Sequence, residues 1–197
     1  MTQLAPSIPA AEIAWKLPSR GRVGMFSLIA AESAIFVIFI VAYLFYSGKS
    51  LSGPTPAILH VPVLFTVCLL SSSLTIHAAV KALTRGSSRA FGFWWLVTIA
   101  LGASFLVGTG FEWRHLIRDE GLTISTNLFG TTYYSLVGLH AFHVTVGLLA
   151  LAFVSILALL GKVATTHARH VDVLSLYWHF VDVVWVVVLT VVYGIGR

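Results

Sequence analysis

Among the side chains that can carry or share a proton, seven in or at the ends of long apolar stretches of this 197-residue sequence stand out. They are the carboxyls of Glu32 and Asp182 and the imidazoles of His60, His77, His140, His143 and His179. A carboxylate near the centre of a bilayer costs at least about 2.5–3.5 kcal/mol, so Glu32 and Asp182 must face protein, water or a partner, or hold a proton. Glu112 and Asp172 lie at the ends of their stretches and need less explanation. His140 and His143 stand three residues apart, on one face of a helix. One or two axial residues suffice for haem, so the pair leaves a haem-binding reading open. Polar side chains in membrane bundles more often bond to neighbouring helices, and hydrogen bonding is the expectation. Trp178, Asp182 and Trp185 fall at i, i+4 and i+7, setting a carboxylate between two indoles whose N–H groups can donate to it. That face reads as a helix–helix or subunit contact rather than a cofactor box. The sole cysteine, Cys68, excludes an internal disulfide framework and a Cys-rich metal site, and reads as a small apolar filler. There is no Gly-rich phosphate loop, nucleophile elbow or HExxH, so catalysis by this chain alone has no support.

The elements that must position these residues follow from composition. Of the residues 58% are hydrophobic and only 10% charged, against about 25% charged in soluble domains. Too little polar surface remains to cover a water-soluble globule. The basic balance, a net charge of +5, sits on connectors between apolar runs and gives no nucleic-acid signal. Five runs reach the roughly 20 residues that a bilayer crossing needs: Gly24–Tyr46, Leu59–Val80, Ala90–Phe111, Leu128–Leu160 and Val173–Ile195. The expected fold is all-α, a polytopic five-helix membrane bundle spanning 23–197 behind a loosely ordered tail over 1–22. No removable signal peptide is read in that tail. All six prolines precede residue 63, with Pro62 expected in the first turn of the second span, so broken mid-membrane helices are not expected. Ser71, Thr75 and Ala79, and Ala100, Ser104 and Gly108, form rows of small residues suited to close helix packing.

Lys16, Arg20, Arg22, Lys81, Arg85, Arg89, Lys162 and Arg169 fall on one side, eight against the four of Lys49, Arg114, Arg118 and Arg197 on the other. The positive-inside rule makes the first side, with the N-terminus, cytoplasmic. Counted inward from that side at about 1.5 Å per residue, Glu32 lies about 12 Å deep and Asp182 about 13 Å. Ser72 and Thr98 fall at the same level, with His179 close by, and a hydrogen-bonded polar layer is expected there. His140 and His143 fall in the outer half, as a second cluster. These features fit a proton- or ion-handling membrane protein or a structural subunit of a larger complex.

Several stretches resemble subunit III of the haem-copper terminal oxidases. YWHFVDVVW at Tyr177–Trp185 is similar to that family's last-helix signature, and LVGLHAFHVTVGL at Leu136–Leu148 to its paired-histidine motif. AESAIF at Ala31–Phe36 resembles the first motif with its acidic residue. VPVLFTVCLLSSSLTIHA at Val61–Ala78, LGASFL at Leu101–Leu106 and FEW at Phe111–Trp113 follow in the family's order. The resemblance covers about Val23 to Arg197 and is to the five-helix form, which lacks the first two of seven helices. Thr109 replaces a common glutamine, and Ala141 replaces the usual glycine between the paired histidines. These departures leave cytochrome c oxidase, quinol oxidase and the accessory subunit of nitric oxide reductases open; Glu32 and the YWHF start favour the first.

The resemblance implies a non-catalytic subunit of a proton-pumping oxidase in the bacterial cytoplasmic (inner) membrane. It implies no haem, copper or other metal in this chain, those groups being in a catalytic subunit I and a copper-binding subunit II. Further small membrane subunits and bound phospholipid are also implied, along with stabilisation of the catalytic subunit and support of proton uptake. Glu32, Asp182, His179, His140 and His143 take the positions of the family's buried polar and proton-linked residues. The competing readings are a small haem-binding membrane cytochrome that uses His140 or His143, and a small transporter.

Overall fold

A computed structural model describes residues 19–50 and 52–195. Five helices run in order: α1 (Arg20–Tyr46), α2 (Val63–Thr84), α3 (Ser88–Arg118), α4 (Leu128–Leu159) and α5 (Ala168–Leu189). The last continues as a π-helical turn over Thr190–Ile195. No strand occurs among the described residues. All five are long and apolar enough to cross a membrane. The shortest, α2 and α5 with 22 residues each, rise about 33 Å against a hydrocarbon core of about 30 Å. The longest, α3 and α4 with 31 and 32 residues, must project or tilt.

The helix ends depart from the sequence expectation for local reasons. α2 starts at Val63 rather than Leu59, because Pro56–Ile58 make a 3-10 turn and Pro62 stands at the N-cap, outside the first turn. Proline pushes its predecessor, Val61, out of the helical region. α3 runs on from Phe111 to Arg118, its end supported by a 2.6 Å His115–Asp119 contact one turn apart. α1 begins at Arg20 and α5 at Ala168, each earlier than the apolar run. Arg22 and Asp172 in these added turns pair at 2.6 Å and tie the two helix starts together. The expected tail over 1–22 lies mostly outside the described residues.

Chain direction alternates. A Cβ on Gly86, in the α2–α3 turn, would meet Thr165 of the α4–α5 connector at 3.9 Å, so both connectors share the end where α1 starts. Gly86 has φ +78°, a left-handed conformation that suits glycine and closes the tight α2–α3 hairpin. At the other end Asn127 caps α4 by accepting from Gly130 N at 2.8 Å, while its amide donates to Ser52 O and Pro54 O at 3.0 Å. One side chain thereby starts α4 and holds down the α1–α2 loop.

α2 and α3 pack along their length, α3 packs on α4 and α4 on α1, while α5 lies against α1, α2 and α4 and closes the bundle. α5 is the most buried helix and α1 the least. The core is aromatic where helices cross: Trp95, Trp178, Trp185, Tyr133 and Phe105 are almost wholly buried. Close packing against Trp178 depends on two glycines. A Cβ on Gly102 of α3 would lie 2.7 Å from its ring and one on Gly147 of α4 2.8 Å. One member of each small-residue row lies in the α2–α3 contact: Thr75 bonds to Thr98 at 2.8 Å, and the Phe65 ring fills the space over Gly108.

Candidate functional site

The first polar pair joins the α1 carboxyl to the second histidine of α4. Glu32 Oε2 lies 3.0 Å from His143 Nε2. His143 Nδ1 lies 2.7 Å from the carbonyl oxygen of Leu139, one turn back in the same helix. A carbonyl oxygen only accepts, so Nδ1 carries a hydrogen. The contact at Nε2 then has two forms. Either a neutral Glu32 donates to a neutral imidazole, or an imidazolium donates to a carboxylate. Both forms contain one proton between Oε2 and Nε2, and both are neutral overall, which suits an apolar interior. The imidazole is nearly buried, with 7% side-chain exposure against 24% for the carboxyl. Phe36, one turn on from Glu32, covers the His143 ring at 4.9 Å. Tyr177 of α5 donates to the His143 carbonyl at 3.2 Å.

The second cluster joins α2 to α5. Ser73 Oγ donates to Asp182 Oδ2 in a short hydrogen bond and lies 2.9 Å from His179 Nδ1. A hydroxyl has one hydrogen, so when Ser73 gives it to the carboxylate, His179 Nδ1 must donate to Ser73. The result is a directed chain from imidazole through hydroxyl to carboxylate. Its reverse, with Asp182 as donor, uses the same atoms. His77 and Asp172 lie within electrostatic reach of His179. Asp182 Oδ1 has no hydrogen-bond partner among the described residues.

The structure brings the sequence-predicted residues together differently from the expected single layer. Ser72 does not meet Asp182; it accepts from the Trp178 indole at 2.8 Å, and the neighbouring Ser73 takes the carboxyl. Thr98 pairs with Thr75. The Trp185 indole donates to Thr66 at 3.1 Å, so neither indole reaches the carboxylate between them. Trp178, Asp182 and Trp185 are 0%, 3% and 1% exposed. That face is filled by the chain's own α2, α3 and α4, so of the two expected contacts the one it makes here is between helices of this chain. His143 joins Glu32 rather than forming a separate cluster with His140. His140 is fully buried and stacks on Trp185 at 4.9 Å, with the Phe105 edge at 5.6 Å. Its two ring nitrogens have no hydrogen-bond partner among the described residues. Among the described residues no group of three or more His, Cys, Asp or Glu gathers as a metal site.

A third cluster escaped the sequence reading. Glu112 Oε1 accepts from Tyr193 at 2.7 Å and from Tyr133 at 3.4 Å, linking α3, α4 and the π turn after α5. The carboxyl lines a cleft of about 260 Å³ together with His60, Phe65 and His115. Spacing cannot reveal this cluster, because its members come from separate helices and Glu112 reads as an ordinary helix-end acid.

Two comparisons with known proteins bear on this geometry. The family model described as Cytochrome c oxidase subunit III matches residues 19–197. A protein named cytochrome c oxidase subunit 3 from Alkalihalophilus pseudofirmus is 36% identical over 177 residues, covering 88% of this chain and 86% of that one. One of the same name from Synechocystis is 37% identical over 186 residues, covering 89% and 76%. Another, from Corynebacterium diphtheriae, is 42% identical over 141 residues, covering 70% and 67%.

Proposed function

The chain belongs to the cytochrome c oxidase subunit III family, and from that premise we propose that it is the non-catalytic membrane subunit of a proton-pumping oxidase that takes electrons from cytochrome c. Family membership makes it part of a multi-subunit haem-copper oxidase complex, and its five spanning helices make it a multi-pass membrane protein. Under this reading the membrane is the bacterial inner membrane, with the N-terminus and the basic connectors in the cytoplasm. Haem and copper reside in subunits I and II, and this chain supplies packing and protonatable groups. The tail over 1–22 precedes a single membrane domain over 23–197.

The observation that carries the reading is the Glu32–His143 pair. The carboxyl and imidazole share one proton in a neutral unit at a three-helix junction, where α5 also bonds to the His143 backbone. A group that keeps a proton in either of two positions without a net charge is suited to support proton uptake by a neighbour. Asp182 and His179, linked through Ser73, form the second such group, and buried His140 packs against Trp185 and Phe105. The groove between α1 and α5, about 220 Å³ and lined by residues that include Phe36, Val37, Ile40, Phe180, Val183 and Val187, has the apolar character of a lipid acyl-chain site.

Purification of the tagged chain from its membrane in mild detergent tests the reading. The expected preparation contains haem- and copper-bearing subunits and oxidises reduced cytochrome c but not quinol. The chain separated from them has no Soret absorption. A Soret band in the separated chain would establish the membrane-cytochrome reading instead, and solute uptake by the chain reconstituted alone would establish a transporter.

A further inference from the structure

The tight hairpin between α2 and α3 shapes its cations into a cleft. Lys81 in the last turn of α2, Arg85 at its C-cap, Ser87 in the turn and Trp94 on α3 line a hollow of about 290 Å³, whose apolar wall includes Ala82 and Ala90. No carboxyl lines it. Arg22 on α1 has Asp172 at 2.6 Å, but neither Lys81 nor Arg85 forms an ion pair among the described residues. Two like charges one helical turn apart repel. The end of α2 does not call for them, because its carbonyls are already taken: Lys81 O by Arg85 N at 3.2 Å, Ala82 O by Ser87 N and Leu83 O by Gly86 N, both at 3.0 Å. The Ser87 hydroxyl does not cap α3. Trp95 gives its indole N–H to Leu151 O at 3.0 Å, whereas the indole of Trp94 beside it has no acceptor among the described residues. An ammonium, a guanidinium, a hydroxyl and an indole N–H thus border one hollow and all can donate. That set of donors, charged on two sides, recognises the oxygens of a phosphate.

The hollow lies at the level of a lipid headgroup. Lys81 stands three residues from the end of α2 at Thr84, about 5 Å along the axis. Trp94 stands six residues into α3 from Ser88, about 9 Å along the axis, a depth at which tryptophan anchors helices to the interface. Below the hollow the lining turns to hydrocarbon. On α2 the stripe through Ala78, Lys81 and Arg85 continues towards mid-span over Leu74 and Val67, which are 75% and 55% exposed. On α3 the stripe through Ala90 and Trp94 continues over half-buried Val97 and Leu101. A ligand that satisfies donors at one end and covers hydrocarbon along the rest carries a phosphate and long chains. Free phosphate or a nucleotide would engage only the first part.

We propose that the cleft between the end of α2 and the start of α3 binds one anionic glycerophospholipid of the adjoining leaflet. Lys81, Arg85, Ser87 and Trp94 hold its phosphate, and a chain lies along Leu74 and Val67. Charge sets the selectivity: a zwitterionic headgroup brings an ammonium of its own, which two cations and a lining without carboxyls disfavour. The α1–α5 groove is a separate place with no charged residue in its lining. The proposal needs the membrane placement of the five helices and not the oxidase reading.

Photo-crosslinking tests it. The protein is purified from its membrane with the chains that accompany it, carrying benzoylphenylalanine at Leu74. It is placed in nanodiscs of phosphatidylcholine with a minor share of phosphatidylglycerol, and the adducts are identified by mass spectrometry. Phosphatidylglycerol is expected among the adducts at about tenfold or more above its share of the bilayer. Lys81→Gln combined with Arg85→Gln should return it to that share. Arg20→Gln removes an exposed cation at the same end of the bundle but outside the cleft, and should leave the enrichment intact. Inorganic phosphate, compared with chloride at equal ionic strength, should also leave it intact. Adducts at the bulk lipid ratio, or enrichment that persists without Lys81 and Arg85, would overturn the proposal. An equal loss with Arg20→Gln would show a diffuse surface potential, loss to inorganic phosphate a site for the free anion, and a polypeptide adduct a protein contact; each of these overturns it as well.

Discussion

Glu32 Oε2 and His143 Nε2 meet at 3.0 Å across the α1–α4 interface, and the other nitrogen of the same ring is committed to the Leu139 carbonyl. The ring is therefore fixed in orientation by its own helix before α1 supplies the carboxyl. Removal of either partner leaves a buried polar atom without its hydrogen bond, which costs about 1–3 kcal/mol. Glu32→Leu and His143→Leu are each expected to destabilise the bundle by that amount, and the double substitution by less than their sum. Glu32→Gln keeps a donor for Nε2 and should cost least. Thermal unfolding of the four proteins in detergent measures the coupling; strict additivity would mean that the two groups do not interact.

Trp178 gives a steric prediction. Gly102→Ala and Gly147→Ala each place a methyl group less than 3 Å from its ring, with α3 and α4 on either side. Overpacking of this kind costs about 1–3 kcal/mol. Gly110→Ala, on α3 with nothing within 4 Å of the added carbon, is the control and should be neutral or slightly stabilising. Equal melting temperatures for all three variants would contradict the packing described.

Ser73 and Ser72 are adjacent and serve different partners. Ser73→Ala removes the link between His179 and Asp182, and Ser72→Ala removes the acceptor of the Trp178 indole. Each loss is expected to cost about 1–3 kcal/mol, measured by thermal unfolding. Near-ultraviolet circular dichroism separates them. The tryptophan signal should change with Ser72→Ala and not with Ser73→Ala.

The eight-to-four distribution of basic residues predicts orientation. In a Cys68→Ala background, cysteines at Ser88 and Ser52 should react with an impermeant maleimide from opposite faces of the membrane. Ser88, the first residue of α3, is expected to label from the cytoplasm and Ser52 from outside. Labelling of both from one face would refute the five-span arrangement.

The number of spans and their order were legible because nearly continuous apolar runs leave few alternatives. The ends of the helices were not. Apolar runs mark where hydrocarbon ends, whereas helices continue while backbone bonds and side-chain pairs such as Arg22–Asp172 support them. The added turns at the starts of α1 and α5 lie outside the apolar runs, so they leave the depth of Glu32 and Asp182 in hydrocarbon unchanged. Depth also says nothing of azimuth. Ser72 and Ser73 differ by about 1.5 Å in height and about 100° in direction, and direction decides which one meets Asp182. The Glu112–Tyr133–Tyr193 cluster depends on how α3, α4 and the π turn lie side by side, which no spacing within one helix encodes.

The position of α5 against α1, α2 and α4 also sets an order of assembly. The ribosome delivers α5 after the four helices it closes, so Ser72, Ser73, Gly102 and Gly147 face an unfilled slot until that last helix enters. A nascent chain that ends after Leu160 should be membrane-inserted yet open along this slot and sensitive to protease. Protection should appear in a single step once the segment through Trp185 has emerged. Resistance before that point would mean that the first four helices close without α5.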